Sequence, residues 1–299
     1  MKVPVFTGSS AAVITPFRDG RIDYDRFGEQ IDFQINGGTA AITVCGTTGE
    51  ASTLSDKERL EAIDFCTSRV NGRIKVIAGT GSNDTKRSCE LSRKAEKLGA
   101  DAVLCVTPYY NKTTQAGLFR HYGDIADSIN VPLILYDVPG RTGMTITKET
   151  YRALSKHPNI NGVKEASGSL RAVSDIIAVC GDELYVWSGS DEVAVPAMSV
   201  GAKGVISVLA NILPRETAEM AAYALTGNFA EAAHIQLKYL DLIEKLFLEV
   251  NPIPIKAAMK LLGTDSGQLR LPLCPMSPEN LAQLCFALYG AGLLPETAN

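Results

Sequence analysis

The chain has 299 residues, 45% of them hydrophobic and 21% charged, and its formal charge is −4 at pH 7. This length allows one large domain or two medium ones with a substantial core, while the acidic balance argues against nucleic acid or an anionic membrane surface as the main partner. No apolar stretch reaches the roughly 18 residues of a membrane-spanning helix and no signal-peptide pattern begins the chain, so the cytoplasm is the expected location.

Short β-rich runs alternate with helical patterns through residue 225. Strands are predicted at 11–15, 41–44, 75–78, 102–106, 133–136, 160–164, 184–187 and 204–207. Helices are predicted at 24–36, 56–70, 85–98, 115–128, 148–155, 170–179, 192–200 and 214–225. Eight alternations without a long interruption favour an α/β fold, a closed (β/α)8 TIM barrel, over an open doubly wound sheet. No G-x-G-x-x-G follows the first strand, which also weakens the dinucleotide-binding alternative. We therefore assign residues 1–225 to a catalytic barrel.

The alternation stops after residue 225, and residues 226–299 are predicted to form a helical C-terminal region. One long amphipathic helix is predicted at 228–250, and Asn251-Pro252 breaks it before further helices at 253–262 and 278–288. Four apolar side chains recur at helical spacing in the long helix: Ile235, Tyr239, Leu242 and Leu246. Their apolar face could pack on the barrel or on a partner subunit.

The cysteines and histidines do not indicate a disulfide framework or a zinc site. There are seven cysteines, an odd number, and no C-x-x-C pair occurs. Most lie in apolar stretches, where a reduced thiol behaves as a small hydrophobic side chain. The three histidines have no histidine or cysteine at a ligand spacing. No metal or other cofactor is expected.

Lys164 ends the sixth predicted strand, in Gly162-Val163-Lys164-Glu165. In a barrel of this kind the active site lies at the carboxyl ends of the strands. Burial there disfavours the charged ammonium, and a neutral amine can attack a ketone to form an imine that acts as an electron sink. The alternative is a structural lysine that pairs with Glu165.

Other polar residues follow the neighbouring strands. Glycines and hydroxyls in Gly46-Thr47-Thr48-Gly49 could hold a carboxylate, or the segment is simply a polar loop. Tyr136 could relay protons with Tyr110 and Thr47, or it is a core tyrosine. Arg141 could bind a second carboxylate bidentately, or it is a solvated loop residue. All these positions fall on one face of the predicted barrel.

Four segments together give the chain a resemblance to the dihydrodipicolinate synthase family, which belongs to the pyruvate-dependent class I aldolases and lyases. They are Gly-Thr-Thr-Gly-Glu at 46–50, Tyr-Tyr-Asn-Lys at 109–112, Tyr-Asp-Val-Pro-Gly-Arg-Thr-Gly at 136–143 and Gly-Val-Lys-Glu-Ala-Ser at 162–167. The segment at 136–143 is the most selective for the synthase branch. The resemblance covers essentially the whole chain.

The resemblance implies catalytic roles for four residues. Lys164 would form a Schiff base with pyruvate. Tyr136, Thr47 and Tyr110 would form a proton relay, in which Tyr110 reaches into the active site of the neighbouring subunit. The family is usually a homotetramer, a dimer of tight dimers, so a partner copy of the chain is expected.

The resemblance also implies the substrate contacts. Thr48 and the adjacent backbone would hold the carboxylate of pyruvate, and Gly189 and Ile206 would line the pyruvate pocket through backbone groups. Arg141 would guide the carboxylate of L-aspartate 4-semialdehyde. The reaction would be the lyase-class condensation that forms 4-hydroxy-tetrahydrodipicolinate, the first committed step of diaminopimelate and lysine biosynthesis.

Two alternatives to this function stay open in the sequence. One is another aldolase of the superfamily, such as N-acetylneuraminate lyase or a keto-deoxy sugar acid aldolase. Arg141-Thr142-Gly143 distinguishes them, because those branches need a different group to meet a sugar chain. The other is a catalytically idle barrel that binds a ligand, against which the lysine, tyrosine and threonine residues argue.

The resemblance also bears on regulation, because some family members are inhibited by lysine at a cleft between subunits. The corresponding positions here are Ser52, Asp56, Arg59, Asn83, Arg87 and Tyr109. Asn83 and Tyr109 match the sensitive pattern. Asp56 and Arg59 replace histidines. Arg87 replaces an acid that would hold the effector's ammonium group, and a cation there should repel it. Weak or absent inhibition by lysine is expected.

Overall fold

The computed structural model describes residues 2–295, and within them eight parallel strands close into a barrel. The barrel strands are β1 Gly8–Ala12, β4 Ala41–Val44, β5 Lys75–Gly79, β6 Ala102–Val106, β7 Leu133–Asp137, β8 Ile160–Glu165, β9 Tyr185–Ser188 and β10 Gly204–Ser207. Their order is sequential, and β1 pairs with both β4 and β10 to complete the ring. A short hairpin of β2 Phe17–Arg18 and β3 Arg21–Ile22 follows β1. The predicted TIM barrel is therefore confirmed.

Helices connect the strands and continue beyond the barrel. They are α1 Tyr24–Asn36, α2 Asp56–Val70, α3 Thr85–Lys97, α4 Gln115–Asp127, α5 Pro139–Thr142, α6 Lys148–Leu154, α7 Leu170–Cys180, α8 Ala194–Ser199, α9 Pro214–Leu225, α10 Phe229–Lys238, α11 Leu240–Lys245, α12 Ile253–Leu261 and α13 Pro278–Gly290. α2 begins with a capping box, in which Ser55 and Glu58 satisfy each other's backbone amides. None of the helices in this part of the chain is long and apolar enough to cross a bilayer.

Three predicted boundaries are wrong. The first strand is Gly8–Ala12 rather than 11–15, because Ile14 leaves the sheet and packs with the C-terminal helices. The single helix predicted at 228–250 is two helices, α10 and α11, which are interrupted at Tyr239. The helix predicted at 192–200 covers only Ala194–Ser199, because a 3-10 turn precedes it. The short hairpin and α5 carry no sequence periodicity and were not predicted.

The apolar face of the C-terminal region packs within this chain. Tyr239, Leu242 and Leu246 are buried in one cluster with α12 and α13. The cluster is completed by side chains that lie just past β1 and β10: Ile14, Val208, Leu209, Ile212 and Leu213. The alternative of packing on the barrel is therefore confirmed, and the helical region covers part of the end where the strands terminate.

The opposite end of the barrel is closed by the N-terminal segment. The ammonium of Lys2 donates hydrogen bonds to the carbonyl oxygens of Ser155, Ile160 and Glu183, at 2.7, 2.6 and 2.9 Å. The ring of Phe6 stacks on Trp187 with centroids 5.0 Å apart. With this end closed, the carboxyl ends of the strands are the open end of the barrel.

The buried thiols behave as structural groups. All seven cysteines lie in the described residues and none is in a disulfide. Burial raises the pKa of the Cys45 thiol to about 12 and that of the Cys105 thiol to about 11, so neither is a thiolate near neutral pH. No cluster of three or more His, Cys, Asp or Glu side chains suited to a metal occurs between residues 2 and 295.

His121 makes the fold sensitive to acid. Its ring is buried on α4, its Nδ1 lies 2.9 Å from the hydroxyl of Thr85, and its Nε2 has no partner in the described structure. Burial lowers the pKa of His121 from 6.5 to about 4, although Asp124 and Asp84 partly offset the shift. The unfolded chain therefore takes up the proton first, and stability falls as the pH drops from 6.5 towards 4.

We expect His121→Gln to remove this pH dependence. At about pH 5 the wild type should lose about 2 kcal/mol of unfolding free energy through this histidine, relative to neutral pH. Urea unfolding of both proteins at the two pH values, at one protein concentration, measures how much unfolding free energy each protein loses between them. Equal losses in wild type and variant would show that His121 is not responsible.

Candidate active site

Lys164 and Tyr136 lie side by side inside the barrel because β7 and β8 are paired in register. Tyr136 is opposite Lys164, and Asp137 is opposite Glu165. Successive side chains of a strand point to opposite faces, so the two carboxylates face the surrounding helices while the lysine and tyrosine share the interior. The Lys164 ammonium nitrogen lies 4.8 Å from the centroid of the Tyr136 ring.

Lys164 has the surroundings that a nucleophilic amine needs. Its side chain is buried, at 6% exposure, and it forms no ion pair with any residue that the structure describes. Glu165 instead accepts a hydrogen bond from the backbone amide of Ser167 at 3.0 Å. The pairing of Lys164 with Glu165 that the sequence left open is therefore absent.

A cavity of about 1030 Å³ opens above Lys164. Its lining includes five of the residues singled out in the sequence: Thr48, Tyr136, Arg141, Lys164 and Gly189. A second cavity of about 240 Å³ is adjacent, and Thr47 lines it. Tyr136 and Arg141 line both cavities, so the two are neighbours at the open end of the barrel.

Asn251 is a site residue that the sequence did not predict. Its side-chain nitrogen donates to the hydroxyl of Thr48 at 3.0 Å. Its backbone carbonyl oxygen accepts from the Arg141 guanidinium at 3.0 Å. It thus joins the two residues that were predicted to hold carboxylates. The sequence marked Asn251 only as the end of a helix, because nothing local indicates which distant loops it contacts.

Gly189 provides space next to the lysine. A side chain at this position would place its Cβ 2.9 Å from Cε of Lys164 and 2.6 Å from Cβ of Ala166. Such contacts are too short for any residue other than glycine at this backbone position. The backbone amide of Gly189 donates to the carbonyl oxygen of Glu165 at 2.6 Å, which holds the ends of β8 and β9 together.

Two predicted site residues, Ile206 and Tyr110, line neither cavity. Ile206 is fully buried in the barrel-interior cluster with Tyr136 and Trp187, and Val208, two residues later, lines the cavity instead. Tyr110 is 92% exposed. No hydrogen bond joins the hydroxyls of Tyr136, Thr47 and Tyr110 in the described chain, so a single chain does not assemble the predicted relay.

Three of the six residues compared with the lysine-sensitive pattern line the smaller cavity, and the other three do not. Arg59 is buried, and its guanidinium donates to the carbonyl oxygens of Gly79 and Gly81 at 2.7 and 3.2 Å. Arg87 pairs with Asp56 at 2.7 Å. Ser52 and Tyr109 line the cavity together with Arg59, and Asn83 donates to the carbonyl oxygen of Tyr109 at 3.2 Å. The charged side chains that line this cavity, Arg59 and Arg141, are both cationic.

Comparisons with known proteins agree on one family. The model of the dihydrodipicolinate synthetase family matches residues 5–289. The 4-hydroxy-tetrahydrodipicolinate synthase of Acetivibrio thermocellus is 50% identical over 294 residues, which are 98% of this chain and 100% of that one. The crystal structure of dihydrodipicolinate synthase from Aquifex aeolicus superposes with a TM-score of 0.95 at 44% identity, over 98% of this chain and 100% of that one. The chloride-inhibited enzyme of Acinetobacter baumannii complexed with pyruvate superposes with a TM-score of 0.95 at 42% identity, over 96% and 99% of the chains.

Proposed function

Because this chain belongs to the dihydrodipicolinate synthetase family, we propose that it condenses pyruvate with L-aspartate 4-semialdehyde to form 4-hydroxy-tetrahydrodipicolinate. The observation that carries the proposal is Lys164, a buried lysine without an anionic partner that lies beside Tyr136 under a large cavity. This step would commit pyruvate to diaminopimelate and lysine biosynthesis.

The reaction begins at Lys164. Its neutral amine attacks C2 of pyruvate, and loss of water gives the imine. Removal of a proton from C3 gives an enamine, whose C3 attacks the aldehyde carbon of the second substrate while the aldehyde oxygen takes up a proton. The amine of that substrate then attacks C2, the ring closes, and Lys164 leaves as the free amine. The imine supplies the electron sink, so no metal is required.

Tyr136 is proposed to move these protons. The proposal is supported by the position of its ring, whose centroid is 4.8 Å from Nζ of Lys164. Thr47 and Tyr110 complete the proposed relay. Thr48 and neighbouring backbone amides hold the pyruvate carboxylate, and Gly189 borders the pyruvate pocket, which Ile206 does not line. Arg141 receives the carboxylate of the aldehyde substrate, a group that its planar guanidinium can bind bidentately.

The proposal is tested by mixing the purified protein with pyruvate and L-aspartate 4-semialdehyde and coupling the cyclised product to its reduction. Rapid consumption of pyruvate is the expected result. If turnover is absent but borohydride still traps pyruvate on Lys164, the imine mechanism stands and the aldehyde is different, as in the sugar acid aldolases. If pyruvate is neither consumed nor trapped, the chain is an idle barrel.

The proposed assembly is a homotetramer in the cytoplasm, in which the catalytic barrel of residues 1–225 is completed by the helical region of residues 226–299. The exposure of Tyr110 supports a shared active site, because its side chain is 92% exposed and is available to a second copy of the chain. The relay would then require two subunits for each site.

Mixing two inactive variants tests this shared site. Lys164→Ala loses the imine, and Tyr110→Phe loses the exposed hydroxyl. After subunit exchange in equal amounts, we expect about a quarter of the wild-type rate, because half of the tight dimers would be mixed and each would hold one intact site. A mixture with no more activity than the sum of its parts would place Tyr110 outside the neighbouring site.

Lysine is expected to bind weakly or not at all. The guanidinium groups of Arg59 and Arg87 would repel its ammonium group, although Asp56 partly neutralises Arg87. Isothermal titration calorimetry with L-lysine, repeated with Arg87→Glu, measures the effect. We expect no saturable heat in the wild type and a gain of binding in the variant. Micromolar binding to the wild type would contradict the expectation.

A further inference from the structure

The loop that carries Thr47 and Thr48 has an unusual backbone. Cys45 and Glu50, at its two ends, have positive φ angles of 55° and 52°. Residues with a Cβ rarely adopt this conformation, and it persists where surrounding contacts hold it. The contacts that hold Glu50 therefore determine the path of the loop.

The carboxylate of Glu50 is held by the C-terminal region. One oxygen lies 2.5 Å from the ammonium of Lys256 on α12, and both side chains are completely buried. The other oxygen accepts the backbone amide of Arg270 at 3.1 Å. Lys256 also donates to the carbonyl oxygen of Gln268 at 2.7 Å and lies 4.2 Å from the centroid of the Phe17 ring. The ion pair has no contact with solvent, and each of its two side chains also makes a hydrogen bond to the C-terminal region.

A second contact joins the same two segments. Asn251, five residues before Lys256, donates to the hydroxyl of Thr48, which is two residues before Glu50. Within the loop, the amide of Glu50 donates to the carbonyl oxygen of Thr47 at 3.0 Å. The segment of residues 251–256 thus holds the threonine loop at Thr48 and at Glu50.

A buried ion pair is a poor device for stability alone. Moving two charges out of water costs much of their mutual attraction, and apolar side chains of similar size often stabilise a protein as well or better. A charged, hydrogen-bonded pair does constrain the direction and distance of its partners more closely than an apolar contact. Here the ion pair fixes the path of the loop that carries the hydroxyls of Thr47 and Thr48 beside the cavity above Lys164.

We propose that Glu50 and Lys256 are positioning residues that hold Thr48 and its neighbouring amides in place to bind the carboxylate of the keto acid substrate. This rests on the proposed role of Thr48. Neither residue touches the reacting atoms. A loop displaced by the loss of this pair would bind pyruvate more weakly. Arg141 contacts the segment that carries Lys256 through the backbone carbonyl oxygen of Asn251, five residues away, so contacts to the aldehyde substrate through Arg141 would change less.

The double variant Glu50→Gln/Lys256→Met tests the proposal because it removes both charges and leaves neither unpaired in the interior. We expect the pyruvate KM to rise about tenfold or more, with a smaller change in the KM for the aldehyde. The pyruvate concentration that half-saturates borohydride trapping should rise by the same factor. Trapping is measured without the aldehyde. Its result therefore tests this proposal even if the second substrate is not L-aspartate 4-semialdehyde.

Two further variants calibrate the result. Lys2→Met removes another lysine that donates to carbonyl oxygens, at the closed end of the barrel, and should lower the thermal unfolding temperature without changing the pyruvate KM. Thr48→Val should raise that KM, and an unchanged value would overturn the role of Thr48 itself.

The proposal is overturned if the folded double variant binds pyruvate like the wild type. In that case the pair is structural only. If the double variant does not fold, Glu50→Asp decides, because it keeps both charges but shortens the carboxylate by one methylene group. A wild-type pyruvate KM in Glu50→Asp would then overturn the proposal, and a raised one at an unchanged unfolding temperature would support it.

Discussion

Replacement of Lys164 by alanine will abolish turnover of pyruvate and L-aspartate 4-semialdehyde and leave the fold intact. The amine is the only group at the centre of the cavity that the proposed mechanism uses to form the imine, so the remaining residues cannot substitute for it. The fold should survive because Lys164 forms no ion pair or hydrogen bond with another side chain or backbone group among residues 2–295.

Three measurements check this expectation. Steady-state turnover should fall to background, and mass spectrometry after borohydride treatment with pyruvate should show no adduct. Thermal unfolding should match the wild type or occur at a higher temperature. Lys203→Ala is the matched control, because Lys203 also lies over a tyrosine ring, 5.7 Å from the centroid of Tyr185, and should retain full activity. Unchanged activity in Lys164→Ala would exclude the Schiff base.

Replacement of Tyr136 by phenylalanine will lower kcat by about 10²- to 10⁴-fold, the usual contribution of a positioned proton donor and acceptor. The change removes one oxygen and retains the ring. The ring packs in the barrel interior with Ile134, Trp187 and Ile206, so the fold and the position of Lys164 should be preserved. Proton transfer to the aldehyde oxygen would then depend on the remaining hydroxyls or on water.

The matched control for this variant is Tyr122→Phe. Tyr122 is also buried, but its hydroxyl donates to the carbonyl oxygen of Cys105 at 3.3 Å outside the cavity. It should lose some stability and retain kcat. Rates of single turnover and of borohydride trapping separate imine formation from the later steps. If Tyr136→Phe retains wild-type kcat, the tyrosine packs in the core and does not relay protons.

Much of the barrel could be predicted because the sequence signals of its helices and strands are local. The helices at 24–36, 56–70 and 214–225 and the strands at 41–44, 102–106 and 204–207 occur at the predicted bounds. Apolar periodicity and flanking caps determine such elements within a few residues of sequence. Strands that alternate with helices must run parallel, and their carboxyl ends then meet on one face. That topology alone places Lys164 near Tyr136 and Thr48.

What could not be predicted depends on contacts between distant segments. The break at Tyr239 has no proline or glycine. It falls between α10, which packs on α8 and α9, and α11, which packs on α13. The position of Ile206 below the cavity depends on how far each strand extends in the closed ring, which the pattern of one strand does not contain.

The sequence by itself determined the barrel, its open end and four of the residues that line the cavity with Lys164, which are Thr48, Tyr136, Arg141 and Gly189. Only the tertiary structure decided that Asn251 joins Thr48 to Arg141 and that Glu50 pairs with Lys256, which is 206 residues away in the chain. A glutamate in a polar loop and a lysine in a helix are ordinary solvent-exposed residues by composition. They become a buried ion pair because the helical region packs over the loop, and such long-range packing leaves no periodic signal in either segment.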